Sequence, residues 1–185
     1  MPHKNILDGT KSVLVIVDVQ EAFRSVIGNF ALIASNIARV SRGLQILDVP
    51  MIVTEQYPAG LGRTAEEIML TLPDGFVPVE KTLFSAFGSS TFRERMGDLG
   101  VKQVILCGFE THVCVSQTAH DLVDQGLIVH FLNDCVGSRF EHDKQAGLQK
   151  MRSMGVISSS VEMALFEVMR DAKHPKFKEI QALIK

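Results

Sequence analysis

The run Ser12–Val19, SVLVIVDV, is rich in β-branched residues and almost unbroken in hydrophobicity, and it reaches a carboxylate, Asp18, at its end. A run without polar alternation fits a strand covered on both faces, the situation of a parallel sheet with helices above and below. Parallel strands cannot be joined by tight hairpins, so the chain must supply crossover segments. It does. From Phe30 to Leu47, apolar Leu32, Ile33, Ile37, Val40, Leu44 and Leu47 recur at helical spacing, and Pro50 then opens a second strand at Met51–Thr54.

The alternation continues to the C-terminal part. Glu55–Arg63 (EQYPAGLGR) reads as a loop, Thr64–Leu70 as a short helix, Phe76–Val79 as a third strand just before Lys81, and Phe84–Ser90 as a second loop. Thr91–Leu99 reads as a helix closed by Gly100, and Lys102–Phe109 as the strongest strand. A helix over Thr111–Gln125, a strand at Leu127–Leu132, a helix at Glu141–Met154 and a strand at Val156–Ser158 follow, with one or two closing helices. Six strands alternating with helices predict a three-layer, doubly wound α/β fold of Rossmann-like topology with a mainly parallel sheet. At 185 residues, with no repeat, low-complexity tract or linker, the pattern predicts one domain over 1–185.

Charge narrows the function classes. Nineteen Lys plus Arg face 21 Asp plus Glu, a net charge of −2, so there is no basic excess to neutralise phosphates, and no nucleic-acid partner is expected. Ser12–Val17 and Val104–Cys107, the longest apolar stretches, fall far short of the roughly 18–20 residues that span a bilayer. The first ten residues, MPHKNILDGT, lack a basic-then-apolar signal, and three cysteines cannot all pair. A cytoplasmic protein with free thiols, away from membranes, is expected.

In an open parallel sheet, ligands bind beyond the carboxyl ends of the strands, which directs attention to Asp18, Lys81 and Cys114. Each has an ordinary reading when taken singly. Asp18 also suits a turn or helix cap, and Lys81 a solvated charge. Cys114 also suits packing, although in the first turn after a strand the helix dipole would favour a thiolate. Cys107, inside VILCGF, is read as inert core, and Cys135, beside Asp134, as intermediate.

Three segments in one order, DVQEAF at 18–23, EKTLFSAF at 80–87 and GFETHVCV at 108–115, resemble the isochorismatase-like, or cysteine hydrolase, superfamily. HPKFKEIQ at 174–181 is similar to its isochorismatase domain-containing branch. The resemblance implies a catalytic triad of Asp18, Lys81 and Cys114, in which Lys81 lowers the thiol pKa and Asp18 accepts its proton and later activates water. It implies an oxyanion hole from the amides of Glu110 and Cys114, a cis peptide between Phe109 and Glu110, and a homo-oligomer, a dimer or tetramer. A substrate pocket would draw on Phe23, Gln56, Tyr57, Leu61, Phe84, Phe87 and Thr111, any of whose apolar members could equally be core. Glu110 would border it, and His112 fits either a substrate contact or a surface position.

Nicotinamidases of the superfamily carry Asp-x-His after the second strand to hold a metal. Here Thr54, Glu55, Gln56 and Tyr57 stand in that place, and the six histidines lack paired ligand spacing, so no metal and no cofactor is expected. The expectation is a hydrolase acting through Cys114 on a small-molecule substrate, at an amide, ester or related C–N or C–O bond. Its alternatives are isochorismatase-type vinyl ether hydrolysis and a non-catalytic or RNA-processing relative with the same fold. A thiol redox protein is disfavoured, since no C-x-x-C is present. The apolar segment Met163–Met169 suits either a subunit interface or an internal helix.

Overall fold

The computed structural model describes residues 3–185. Strand β1 (Ser12–Val17) leads to helix α1 (Phe30–Ile46) and strand β2 (Met51–Gln56). Two single-turn helices, α2 (Pro58–Leu61) and α3 (Glu66–Met69), precede strand β3 (Val79–Lys81), helix α4 (Ser90–Leu99) and strand β4 (Gln103–Phe109). Then come α5 (Ser116–Asp124), β5 (Ile128–Gly137), α6 (Glu141–Ser153), β6 (Ile157–Ser159), α7 (Val161–Met169) and α8 (Phe177–Ile184).

The strands form one sheet in the order β3-β2-β1-β4-β5-β6, every pair parallel. All six residues of β1 are buried, as an uninterrupted apolar run requires. On one face Leu14, Ile16 and Ile105 pack against Phe30, Ile37 and Leu44 of α1 and Leu165 of α7. On the other, Val15, Val104 and Phe131 meet Phe92 of α4, Ala119 and Leu122 of α5, and Met151 of α6. Burying each large aliphatic side chain contributes about 1.5–3 kcal/mol, which offsets the cost of ordering central strands with no contact to water.

The connections reverse direction between β1 and β4, so a crevice opens where the crossovers diverge, above the carboxyl ends of those strands. There the strands approach without a side chain between them: Gly108 (φ 124°) pairs with Val17, and a Cβ at Gly108 would lie 2.0 Å from the Val17 carbonyl oxygen.

Three sequence expectations shift. The third strand is Val79–Lys81, not Phe76–Val79, because Pro78 has no N–H for a ladder and the register is set by Thr54 pairing with Val79 and Gln56 with Lys81. The fifth strand runs to Gly137 instead of stopping at Leu132, with an irregularity between Leu106 and Gly108 on its neighbour. Asn133 and Asp134 break the apolar run but remain strand, since the Asp134 carboxylate accepts the Val161 N–H at the start of α7. The segment after β4 starts as a wide turn, Thr111–Val115, in which the Val115 N–H reaches back to the Glu110 carbonyl at 3.2 Å, and becomes α-helical only at Ser116. Met163–Met169 lies within α7, whose Val161, Ala164, Leu165 and Met169 are core while Met163 and Phe166 are exposed.

Candidate active site

The backbone leaves β1 at Asp18 through the left-handed region (φ 53°), which a short polar side chain tolerates. Its carboxylate is then fixed from β2 and, across it, from β3. Thr54, beside Val17 in the β1–β2 register, donates its hydroxyl to Asp18 Oδ1 at 2.6 Å. Lys81 Nζ, at the end of β3, donates to Oδ2 at 2.6 Å. Both side chains of the pair are 1% exposed.

A buried ammonium needs more than one acceptor. Lys81 Nζ also meets Gln56 Oε1 at 2.8 Å and the carbonyls of Leu83 and Phe84 at 3.1 and 3.0 Å, so its charge holds the segment after β3 against the sheet end. Gln56 is held in turn by Gln20 of the DVQ motif, whose Oε1 accepts the Gln56 N–H at 2.8 Å and whose Nε2 donates to the carbonyls of Gln56 and Gly62.

Cys114 sits in the wide turn after β4, 7% exposed. Helix α6 clamps this turn from behind. A Cβ at Gly147 would stand 2.8 Å from the His112 Cα and 2.9 Å from the Thr111 carbonyl oxygen, so only glycine allows the approach. Phe109–Glu110, leading into the turn, is a cis peptide.

The electrostatics correct one expectation. The thiol is not lowered towards a resting thiolate; burial, followed by the charge of Asp18, pushes it up to about 12, with Lys81 acting in the opposite direction. Burial is the larger cause, and a lysine that already neutralises a carboxylate has little field left to oppose it. Iodoacetamide labelling of Cys114 is therefore expected to be slow near pH 7 and still rising at about pH 10; a plateau below about pH 8, read by peptide mapping, would place a thiolate there at rest.

A cavity of about 370 Å³ opens over these groups. Its polar wall is Asp18, Gln56, Glu110, Cys114 and Arg139; its apolar wall is Ala22, Phe23, Val26, Leu61, Phe84 and Val113. Thus Phe23, Gln56, Leu61 and Phe84 come together with Asp18 and Cys114. The remaining expected pocket residues do not. Tyr57 (φ 39°) faces a larger cleft of about 710 Å³ on the far side of Lys81, which contains neither Asp18 nor Cys114. Phe87 packs edge-on against Phe92, and Thr111 is fully buried, donating its hydroxyl to the Gly137 carbonyl at 3.0 Å. His112 lies off this cavity, bonded to Ser138.

Arg139, immediately after β5, was not anticipated, nor were Ala22, Val26 and Val113. Its Nε donates to Glu110 Oε1 at 2.7 Å and Nη2 to Oε2 at 3.2 Å. Its one sequence signal is position, two residues after a strand whose carboxyl end faces the crevice, and the sequence reading ended that strand five residues early, at Leu132.

At the place of the nicotinamidase metal ligands, Thr54 is committed to Asp18, and Glu55 Oε1 accepts both the N–H and the hydroxyl of Thr64 at 2.7 Å. Among the described residues, no three His, Cys, Asp or Glu side chains converge as a metal site.

An all-parallel, doubly wound sheet with cysteine, aspartate and lysine gathered at its switch point defines the class as an isochorismatase-like hydrolase fold. The chain belongs to the isochorismatase domain family, whose model matches residues 12–163. It is 43% identical over 175 residues to isochorismatase domain-containing protein 2 of Danio rerio, covering 94% of this chain and 86% of that protein. The structure named MAR1 ribonuclease, from Caenorhabditis elegans, superposes with a TM-score of 0.92 at 37% identity, over 97% of this chain and 92% of that one. YcaC of Escherichia coli, described as an octameric hydrolase of unknown specificity, shares the fold at TM-score 0.86 and 20% identity, over 100% and 96% of the two chains.

Proposed function

We propose that the protein is a cofactor-free hydrolase that opens a small amide, ester or related C–N or C–O bond through a covalent intermediate on Cys114. The observation that carries this reading is the buried 2.6 Å Asp18–Lys81 pair, whose Asp18 member lies on the wall of the cavity that Cys114 shares. A structural ion pair would serve as well anywhere in a core. This one is bordered by a nucleophile and an open volume.

With the thiol protonated at rest, deprotonation and attack belong to one step. Asp18 takes the Sγ proton as Sγ bonds to the substrate carbonyl carbon, and the electrons of the C=O bond move onto oxygen. The amides of Glu110 and Cys114 stabilise that oxyanion. Collapse breaks the bond to the leaving group, which departs with the proton from Asp18 and leaves a thioester. Water attacks the thioester, giving its proton to Asp18; the carboxylic acid is released and the proton returns to Sγ. Lys81 stays charged throughout and holds Asp18 in place.

The ribonuclease name of the 37% identical relative supports a second reading, cleavage of RNA. The apolar cavity wall, the neutralised charges and the net charge of −2 support the first. The octameric neighbour, together with exposed Tyr57, Leu83, Phe84 and Phe140 around the crevice, supports a homo-oligomer. Three free cysteines, all buried, suit a reduced, cytoplasmic location.

The test is intact mass and peptide mapping of the wild type, acid-quenched during turnover of a panel of small esters and amides, beside the Asp18→Asn variant. An acyl group on Cys114 in the wild type, and none in the variant that lacks the base for the Sγ proton, is the expected result. Substrate turnover without any adduct in either protein would overturn the covalent scheme, and RNA cleavage that weakens steeply with salt would favour the second reading.

A further inference from the structure

The polar groups on the cavity wall are nearly all spoken for. Asp18 is bonded by Thr54 and Lys81, while Gln56 gives its oxygen to Lys81 and its Nε2 to the Thr82 carbonyl at 2.7 Å. Glu110 is occupied by Arg139 on both carboxylate oxygens. Arg139 is the exception. A guanidinium has two edges that can each grip a carboxylate, and Glu110 occupies only the Nε/Nη2 edge. Among the described residues nothing accepts from Nη1, so the Nη1/Nη2 edge is open, on a side chain that is 50% exposed whereas its partner Glu110 is 9% exposed. Glu110 thus acts as an anchor, fixing the plane of the guanidinium and the direction of its free edge.

Arg139 shares this cavity with Cys114 and Asp18, and the rest of its wall is mainly apolar, formed by Phe23, Val26, Leu61, Phe84 and Val113. We infer that the substrate is an acyl compound with a short apolar body and a carboxylate at the end remote from the scissile carbonyl, and that the free edge of Arg139 selects it by gripping that carboxylate. This rests on the Cys114 reading and adds to it a substrate class and a specificity residue.

Two esters with the same leaving group and nearly the same length separate the possibilities: mono-4-nitrophenyl glutarate, which ends in a carboxylate, and 4-nitrophenyl pentanoate, which ends in a methyl. Wild type is expected to show the higher kcat/KM on the glutarate ester. Arg139→Met should lower the ratio of the glutarate to the pentanoate value roughly 10- to 100-fold, the size of one charge-assisted pair, over and above any fall that the two esters share. Arg139→Lys should recover part of the loss. Equal rates on the two esters in wild type, or an equal fall on both in Arg139→Met, would overturn the inference and leave Arg139 as support for Glu110 alone.

A binding measurement keeps this apart from the chemistry. Calorimetric titration of monomethyl glutarate into Cys114→Ala should show binding that dimethyl glutarate lacks and that Arg139→Met removes. If Cys114→Ala hydrolyses both esters like wild type, the covalent reading fails, and the titration still decides the carboxylate site: no preference for the monoester would overturn it.

Discussion

Cys114→Ala is expected to lower turnover of any ester or amide cleaved by the wild type on the order of 10⁴-fold or more, with the fold intact. The size follows from the absence of a stand-in. Cys107 and Cys135 are fully buried in the core on the α1 face, and burial drives both thiols well above their ordinary pKa. Thr111 spends its hydroxyl on the Gly137 carbonyl. What remains is Asp18 acting on water, without a covalent intermediate to divide the barrier. The measurement is kcat on one chromogenic ester, with thermal unfolding to confirm that the variant folds. A fall of less than about tenfold would remove Cys114 from the chemistry.

Gly108→Ala is expected to destabilise the protein by about 4–5 kcal/mol or more, a large part of the total stability of a typical domain. The new Cβ would stand 2.0 Å from the Val17 carbonyl oxygen and 2.7 Å from its nitrogen, both backbone atoms of a central strand that cannot rotate aside. A φ of 124° adds a conformation that alanine rarely adopts. To relieve the clash, β1 and β4 must part at their carboxyl ends, where Asp18 and Glu110 begin. Gly97→Ala is the control: no atom lies within 4 Å of its Cβ, and inside α4 the change should be neutral or stabilising by up to about 1 kcal/mol. Chemical denaturation of both variants reads the difference, and matching midpoints would refute the steric account.

The central strands were legible because burial on both faces leaves an uninterrupted apolar run, as at Ser12–Val17 and Gln103–Phe109. Legibility failed where strands carry other duties. β3 is an edge of three residues that ends in an ion pair, and β5 carries Asn133 and Asp134, whose side chains bond to β6 and to the start of α7. In the site, the motifs exposed the residues that form charges and bonds: Asp18, Lys81 and Cys114 do come together. Side-chain direction was not legible. Phe84 and Phe87 are three positions apart in one loop, yet one borders the cavity and the other joins Phe92 in the core. The thiol pKa differs because the sequence shows that Lys81 exists, not how deeply Cys114 is buried or that Asp18 has already taken the lysine's charge. Arg139 was missed because a lone arginine after a strand reads as solvated, and only its anchoring by Glu110 distinguishes it.

The Asp18–Lys81 pair also spans the sheet, from β1 across β2 to β3, and this couples breathing of the edge to the state of the centre. A three-residue strand with one neighbour belongs among the segments that open first in native-state fluctuations. Here opening would strip a buried carboxylate of its counter-ion, at a cost of about 3–5 kcal/mol beyond the ladder bonds. This edge strand therefore inherits protection from the centre of the sheet. A ligand resting on Gln56 and Phe84, both tied to Lys81, would raise that barrier further, so occupancy of the cavity is written into the exchange rates of amides at the far edge.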